Sequence, residues 1–273
     1  MTKLCRKAAL GAAFFSFLLA ACAPGPEVRR EQALARGQAA GFAEATVGTA
    51  DFRLFGLLRR GGGSDRLRVY IEGDGAPWIW PHQPPEDPTP AASLVLGLAA
   101  ADRSPGVAYL ARPCQYLPGG RCEPRYWTTE RFAPEVVAAY QAALDELKRR
   151  TGATRLSLAG YSGGGVLAAL LAEARGDVVE LLTVAAPLDT AAWTRHHGLT
   201  PVGGDNPADR AGRLKSLPQH HWVGGQDDVV PAAVVRAFAE RAGAAVSVVP
   251  GYDHECCWVD DWPRRLAEAG FDR

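Results

Sequence analysis

The sequence has no excess of positive charge. Its 30 lysines and arginines are matched by 30 aspartates and glutamates. No basic cluster exceeds a few residues, so nothing drives electrostatic binding of nucleic acid. No CxxC pair and no HxxxH pattern is present, which removes the usual spacings of zinc ligands. No lysine follows the glycine-rich stretch at 160–165, so a phosphate-binding P-loop is excluded. There is no internal repeat. What is present is a globular composition, 47% hydrophobic and 22% charged over 273 residues. That excludes a disordered tail and a multi-span membrane protein.

The N-terminus reads as an address. Lys3, Arg6 and Lys7 precede an uncharged, mostly apolar run of 14 residues, Ala8 to Ala21. A spanning helix needs about 20 residues, so the run suits a secretory signal instead. It ends in Leu19-Ala20-Ala21-Cys22, which resembles the bacterial lipobox. That resemblance implies cleavage before Cys22, diacylglycerol on its sulfur and an acylated new N-terminus. Residues 1–21 are then the signal peptide, 22–45 a lipidated cysteine and tether, and 46–273 the folded domain. Ala23, a non-Asp residue after the cysteine, implies the outer membrane by the same analogy, facing the periplasm. The mature chain keeps 27 basic and 30 acidic residues, a formal charge of −3. Its membrane attachment is therefore expected from acyl chains, not from a basic surface.

Export changes the cysteine arithmetic. Cys114, Cys122, Cys256 and Cys257 remain, in an oxidising compartment. Cys114 and Cys122 flank Pro118-Gly119-Gly120, a turn able to bring them together, so a bridge is predicted there. Cys256 and Cys257 are adjacent. A bridge between them would close a small ring, and the alternatives are free thiols or a pairing with the Cys114 loop.

Downstream, strand-like and helix-like segments alternate. Phe52 to Leu58 and Leu67 to Ile71, around Gly61-Gly62-Gly63-Ser64-Asp65, read as a hairpin. Helix patterns follow at 91–101, from Pro134, at 166–171, at 232–242 and from about Asp260. Strand patterns lie at 106–111, 154–159, 178–185, 220–223 and 246–249. This order predicts an α/β fold, a mostly parallel sheet with helices on both faces. Sites in such sheets gather at the carboxyl edge. Residues 188–215 break the alternation and read as a short lid insertion.

Gly160-Tyr161-Ser162-Gly163-Gly164 fits G-x-S-x-G between a strand and a helix, the setting of a nucleophile elbow. The glycines also fit a dinucleotide loop. That reading wants the first strand and an acid ending the next one, and here the motif lies mid-chain with Glu180 near the start of its neighbour. An acid and then a histidine follow in the required order: Asp227 or Asp228 after the 220–223 strand, and His254 after the last strand. At this point the sequence resembles the α/β-hydrolase family over most of residues 50–270. Its acid loop matches Gly224, Asp227, Val230 and Pro231, which implies Asp227 as the acid with Asp228 as the alternative. Its histidine loop matches Gly251 to His254. Glu72-Gly73-Asp74-Gly75 occupies the place of the family's oxyanion loop, with Glu72 where a histidine is usual. The implied donors are the backbone N–H groups of Asp74 or Gly75 with that of Gly163.

The resemblance implies a serine hydrolase acting on carboxylic esters through an acyl-enzyme on Ser162. It implies no cofactor or metal, a small acyl ester as substrate, and a monomer. Thioesterase, amidase and acyltransferase chemistry share the same triad. A non-catalytic envelope lipoprotein using the fold for binding is the alternative of a different class. Trp78, Trp80, Tyr161 and Trp193 are candidate pocket residues. Arg112-Pro113-Cys114-Gln115-Tyr116 and Tyr126-Trp127-Thr128 form a further pattern shared with exported α/β-hydrolases, without an assigned role.

Overall fold

The computed structural model describes residues 25–62, 64–76 and 83–272. Its sheet is built from eight strands. In chain order they are β1 (Ala43–Glu44), β4 (Gly56–Arg59), β5 (Arg66–Ile71), β6 (Val107–Leu110), β7 (Arg155–Tyr161), β8 (Val178–Val184), β9 (Gln219–Gly224) and β10 (Ala245–Val249). Two short strands, β2 (Val47–Gly48) and β3 (Arg53–Leu54), pair separately. The order across the main sheet is β1-β4-β6-β5-β7-β8-β9-β10. From β6 to β10 every neighbour is parallel, and β1 and β4 form an antiparallel edge.

The alternation of side chains along each strand separates two cores. Leu67, Val69 and Ile71 of β5 join one core with Leu156 and Leu158 of β7. Tyr70 and Ala159 point to the other. The first face is covered by α3 (Pro134–Thr151), α4 (Gly163–Ala174) and α7 (Ala232–Ala242). The second is covered by α1 (Pro26–Ala39), α2 (Leu94–Ala101) and α8 (Trp262–Glu268). Helix α3 shows why these segments are helical. Pro134 opens it, where a missing N–H costs nothing. Val136, Ala139, Tyr140, Ala143, Leu144 and Leu147 form one buried stripe. Gly152, at φ 76°, ends it in the left-handed conformation. No helix among the described residues is long and apolar enough to cross a membrane.

The predicted hairpin does not form. β4 pairs antiparallel with β6, and β6 lies between β4 and β5. The connection after β4 is longer than the two-residue loops that force adjacent strands together. It crosses the entry to β6 so closely that a Cβ on Gly61 would fall 1.7 Å from the Pro105 carbonyl oxygen. β6 is buried at all four positions, which suits a central strand and not an edge. The 188–215 segment is also more regular than its sequence pattern suggests. It holds α5 (Thr190–His197), α6 (Pro207–Arg210) and a 3₁₀ turn, Ala211–Leu214. Asp189 caps α5 by accepting the Ala192 N–H at 2.9 Å, and Gly198 ends it. These helices are too short to show a periodic stripe.

The amino end of the sheet is held by a buried ion cluster. Arg68 donates to Ser157 Oγ, Asp102 Oδ2, Ser104 Oγ, Glu180 Oε2 and the Phe271 carbonyl at 2.6–3.2 Å. Tyr70 donates to Asp102, and the Trp262 indole donates to Tyr70. Removing one partner of such a cluster strands the others without solvent. Arg68→Met is therefore expected to destabilise the fold by about 3–5 kcal/mol, read by urea denaturation. A loss below about 1 kcal/mol would show that the cluster is not a stabilising element.

Glu173, near the end of α4, faces a cavity of about 310 Å³ beside Leu170, Arg210 and Arg213. One of its oxygens is buried with no partner among the described residues. Burial pushes its carboxyl up to about 7. The folded-state value lies above the unfolded one, so ionisation costs stability at alkaline pH. Glu173→Gln is expected to stabilise the protein near pH 8, to lose that advantage as pH falls through about 7, and to match wild type near pH 4. A difference in unfolding free energy that stays constant over that range would contradict this.

Candidate active site

β7 delivers Ser162 at a sharp corner into α4. Ser162 has φ 50° and ψ −126°, a region that side chains rarely adopt. Two glycines permit the corner. A Cβ on Gly160 would come within 2.3 Å of the Gly164 carbonyl oxygen, and one on Gly164 within 2.2 Å of the Ile71 carbonyl oxygen. The Ser162 N–H is fixed on the Val184 carbonyl at 2.9 Å, and its own carbonyl accepts from Gly165 at 2.9 Å.

The loops after β9 and β10 are stitched together. Gly225 N–H donates to the Val249 carbonyl and Gln226 N–H to the Tyr252 carbonyl, each at 2.8 Å. Asp227 and His254 thereby meet. The Asp227 side chain is fully buried. Its Oδ1 accepts the N–H groups of Val229 at 3.0 Å and Val230 at 2.7 Å. His254 Nδ1 lies 3.0 Å from Asp227 Oδ2 and 3.2 Å from Oδ1. His254 Nε2 lies 3.2 Å from Ser162 Oγ. With the carboxylate facing Nδ1, the proton belongs on Nδ1 and the lone pair on Nε2 faces the hydroxyl. The Tyr161 ring lies against the imidazole, with 5.1 Å between centroids.

The His254 loop is anchored from behind. The buried Trp258 indole donates to the carbonyls of Asp253 and His254. Asp253 Oδ1 accepts the N–H groups of Glu255 and Cys256 at 2.9 and 2.7 Å. Cys256 and Cys257 are joined to each other, and Cys114 is joined to Cys122. The alternative acid Asp228, and Asp189 after β8, go elsewhere. Asp228 is exposed, outside the pair that His254 contacts. Asp189 caps α5 and pairs with Arg241 at 2.8 Å.

Glu72-Gly73-Asp74-Gly75 leaves β5 beside Ser162. Glu72 is buried and accepts from Ser93, from Tyr109 OH at 2.7 Å and from the Gly73 N–H at 2.9 Å. Burial raises its carboxyl above the usual range. Asp74 behaves oppositely: burial alone would raise it, but the Arg131 and Arg112 guanidinium groups outweigh that and hold it low. Among the described residues, no acceptor faces the backbone N–H groups of Gly163, Asp74 and Gly75. Arg112, Arg131 and Gln115 around this loop had no role in the sequence reading. Arg112 and Gln115 fall in the Arg112 to Tyr116 pattern, and Arg131 carried no signal.

Ser162 and His254 open into a cavity of about 1130 Å³. Its lining includes the apolar Trp193, Leu199, Val202, Val229 and Val230. It also includes the polar Arg36, Glu72 and Ser93. The candidate pocket residues Tyr161 and Trp193 both line it, and Trp193 is held by its indole on the Val229 carbonyl at 2.7 Å. Trp78, Trp80 and Cys22, with the whole of 1–24, lie outside the described residues. Among the described residues, no group of three His, Cys, Asp or Glu side chains is gathered to hold a metal ion. The His220–His221 pair is structural in its contacts. His221 is buried on Thr183 Oγ1 at 2.8 Å and is pushed down to about 3 by burial.

No protein-family model matches the chain, and no curated protein matches it. Solved structures do. A puromycin hydrolase is 20% identical with a TM-score of 0.61, covering 85% of this chain and 38% of its own. The chain thus spans about two fifths of that enzyme's length. An esterase of Pyrococcus furiosus is 16% identical with a TM-score of 0.60, covering 85% of this chain and 91% of its own. An alpha-beta serine hydrolase homologue from Coxiella burnetii is 18% identical with a TM-score of 0.56, covering 83% and 95%. At these identities the likeness is one of architecture. With its mostly parallel eight-stranded sheet clad by helices on both faces, the chain has the α/β-hydrolase fold.

Proposed function

We propose that the protein is a serine hydrolase that cleaves carboxylic esters through an acyl-enzyme on Ser162. The observation that carries this reading is the continuous relay from Asp227 through His254 to Ser162, at 3.0 and 3.2 Å, on the floor of an open cavity. The structural neighbours, among them a puromycin hydrolase, an esterase and a serine hydrolase homologue, support the reaction class.

Ser162 Oγ attacks the acyl carbonyl as His254 Nε2 takes its proton. Asp227 holds the tautomer and stabilises the imidazolium. The carbonyl oxygen becomes an oxyanion and meets the N–H groups of Gly163 and of Asp74 or Gly75. Loss of one such donor typically costs about 2.7–4 kcal/mol of barrier. The tetrahedral adduct collapses, and His254 returns the proton to the departing alcohol. Water then attacks the acyl-enzyme, His254 again taking and returning the proton, and the free acid leaves. The relay and the donors are supplied by the chain itself. The left-handed Ser162 backbone places the half-buried serine at the end of β7 on the cavity lining, which also carries apolar residues able to hold an acyl group.

The setting is part of the same proposal. The lipobox-like tetrad supports a lipid on Cys22, an envelope location and a periplasmic face at the outer membrane.

Ser162→Ala is expected to abolish hydrolysis of p-nitrophenyl esters with folding intact by circular dichroism. Asp227→Asn should lower kcat by roughly 10⁴-fold, because the imidazole adopts the wrong tautomer. A fluorophosphonate should label the wild type on Ser162 and leave boiled protein and Ser162→Ala unlabelled. Folded wild type that resists the label would favour a non-catalytic binding protein, and faster turnover of anilides than of esters would move the reaction to amides. Cys22→Ser should shift the protein from the membrane to the soluble fraction of the cell envelope. Unchanged membrane association of that variant would remove the lipid anchor.

A further inference from the structure

Two buried arginines lie outside the relay yet converge on its loop. Arg112 is 3% exposed and Arg131 8%. Arg112 Nη1 meets Asp74 Oδ1 at 2.6 Å, and Arg131 Nη1 meets Asp74 Oδ2 at 2.7 Å. Each guanidinium is itself fixed. Arg112 Nη2 donates to the Arg131 carbonyl at 2.5 Å, and Arg131 Nε donates to the Thr128 carbonyl at 2.6 Å. Two long cations held by several bonds on one carboxylate is an expensive arrangement unless the carboxylate must sit in one place.

That place is beside the reacting atoms. A Cβ on Gly163 would come within 2.2 Å of Asp74 Oδ1, so the carboxylate rests against the first residue of α4. The helix N-terminus favours a negative charge there. The same spot adjoins the N–H groups that receive the acyl oxygen. An uncompensated carboxylate would therefore oppose the negative charge that develops during attack. The neighbouring peptides are pinned as well. Gln115 Nε2 donates to the carbonyls of Gly73 and Pro88, and Gln115 Oε1 accepts the Arg112 N–H at 3.0 Å. The Cys114–Cys122 bridge closes the same segment.

We propose that Arg112 and Arg131 are positioning residues for the hydrolysis. They orient the Asp74 peptide as an oxyanion donor and together outweigh the Asp74 charge beside the oxyanion. This gives the Arg112 to Tyr116 segment its role. The inference rests on the hydrolase reading above.

The test is a double-mutant cycle on a p-nitrophenyl ester. Arg112→Gln should lower kcat by roughly 10- to 100-fold, short of the 10²–10³ for deleting a donor outright, with KM within about threefold. Affinity for a phenylboronic acid, which forms an anionic tetrahedral adduct on Ser162, should fall by the same factor as kcat. Affinity for an uncharged amide analogue of the ester should hold. In an Asp74→Asn background, which keeps an oxygen for the guanidinium but removes the charge, Arg112→Gln should cost less than about threefold. An equal loss in both backgrounds, or a loss carried by KM and by both ligands alike, would overturn the proposal. If circular dichroism shows that Arg112→Gln does not fold, Arg131→Gln, on the cavity wall, carries the same cycle with the same outcomes. A wild type that neither takes the fluorophosphonate nor turns over esters defeats the hydrolase reading itself. A wild type that does both, beside variants with unchanged kcat, defeats this inference alone.

Discussion

The site depends first on how closely three pieces of backbone approach one another. The corner at Ser162 brings α4 against the end of β5, and the gap closes only because Gly160 and Gly164 carry no side chain. A methyl group at Gly164 would overlap the carbonyls of Ile71 and Glu72. Widening that gap would lift the α4 N-terminus away from the Glu72–Gly75 loop. The nucleophile, the helix N-terminus and the donor loop would then no longer share one acyl group. The left-handed φ of Ser162 follows from the same approach, because the chain must reverse within one residue to run from strand to helix.

β5 carries this constraint across the sheet. Its two ends hold buried charge clusters of different kinds. At the amino end, Arg68 is surrounded by Asp102, Glu180, two serines and the Phe271 carbonyl, which fastens the C-terminal segment to the sheet. At the carboxyl end, one carboxylate, Asp74, is shared by two arginines. The first cluster has an acceptor for each donor nitrogen and sits far from the cavity, so its effect is on stability. The second lies at the cavity, with the Asp74 carboxylate against the start of α4, where the inference above gives it an effect on charge. A strand fixed at one end and tensioned at the other gives a loop with little freedom to relax.

The layered fold was legible from alternation of apolar runs, because both periods are written directly into Leu156 to Ala159 and Val136 to Leu147. The relay was legible because G-x-S-x-G, the Asp227 loop and His254 each sit at a strand end in the required order. What escaped was long-range partnership. The β4–β5 hairpin reading failed because nothing in Phe52 to Ile71 reports that β6 inserts between them. Glu72 drew attention only as a departure from the histidine, although its buried bonds to Ser93 and Tyr109 shape the loop. Arg112 and Arg131 are 38 and 57 residues from Asp74, and local spacing carries no trace of such pairs. The sequence left the pairing of Cys256 and Cys257 open, and the structure joins them to each other.

The three relay residues arrive on three separate loops, and each is fixed mainly by bonds that exclude the other two. Ser162 is held by the Val184 carbonyl. Asp227 is held by the Val229 and Val230 N–H groups. His254 is held through Trp258 and the Asp253 turn. On the proposed hydrolase reading this matters, because the relay bonds would change during turnover: the Ser162–His254 bond would break and reform twice per cycle. A site whose geometry rested on that bond would loosen whenever the proton moved. Here the scaffold keeps Nε2 within reach of Oγ independently of where the proton sits, so reorganisation is confined to the proton and the acyl group. The donor loop obeys the same rule. Asp74 is held by arginine side chains of the segment after β6, so its placement does not depend on the relay.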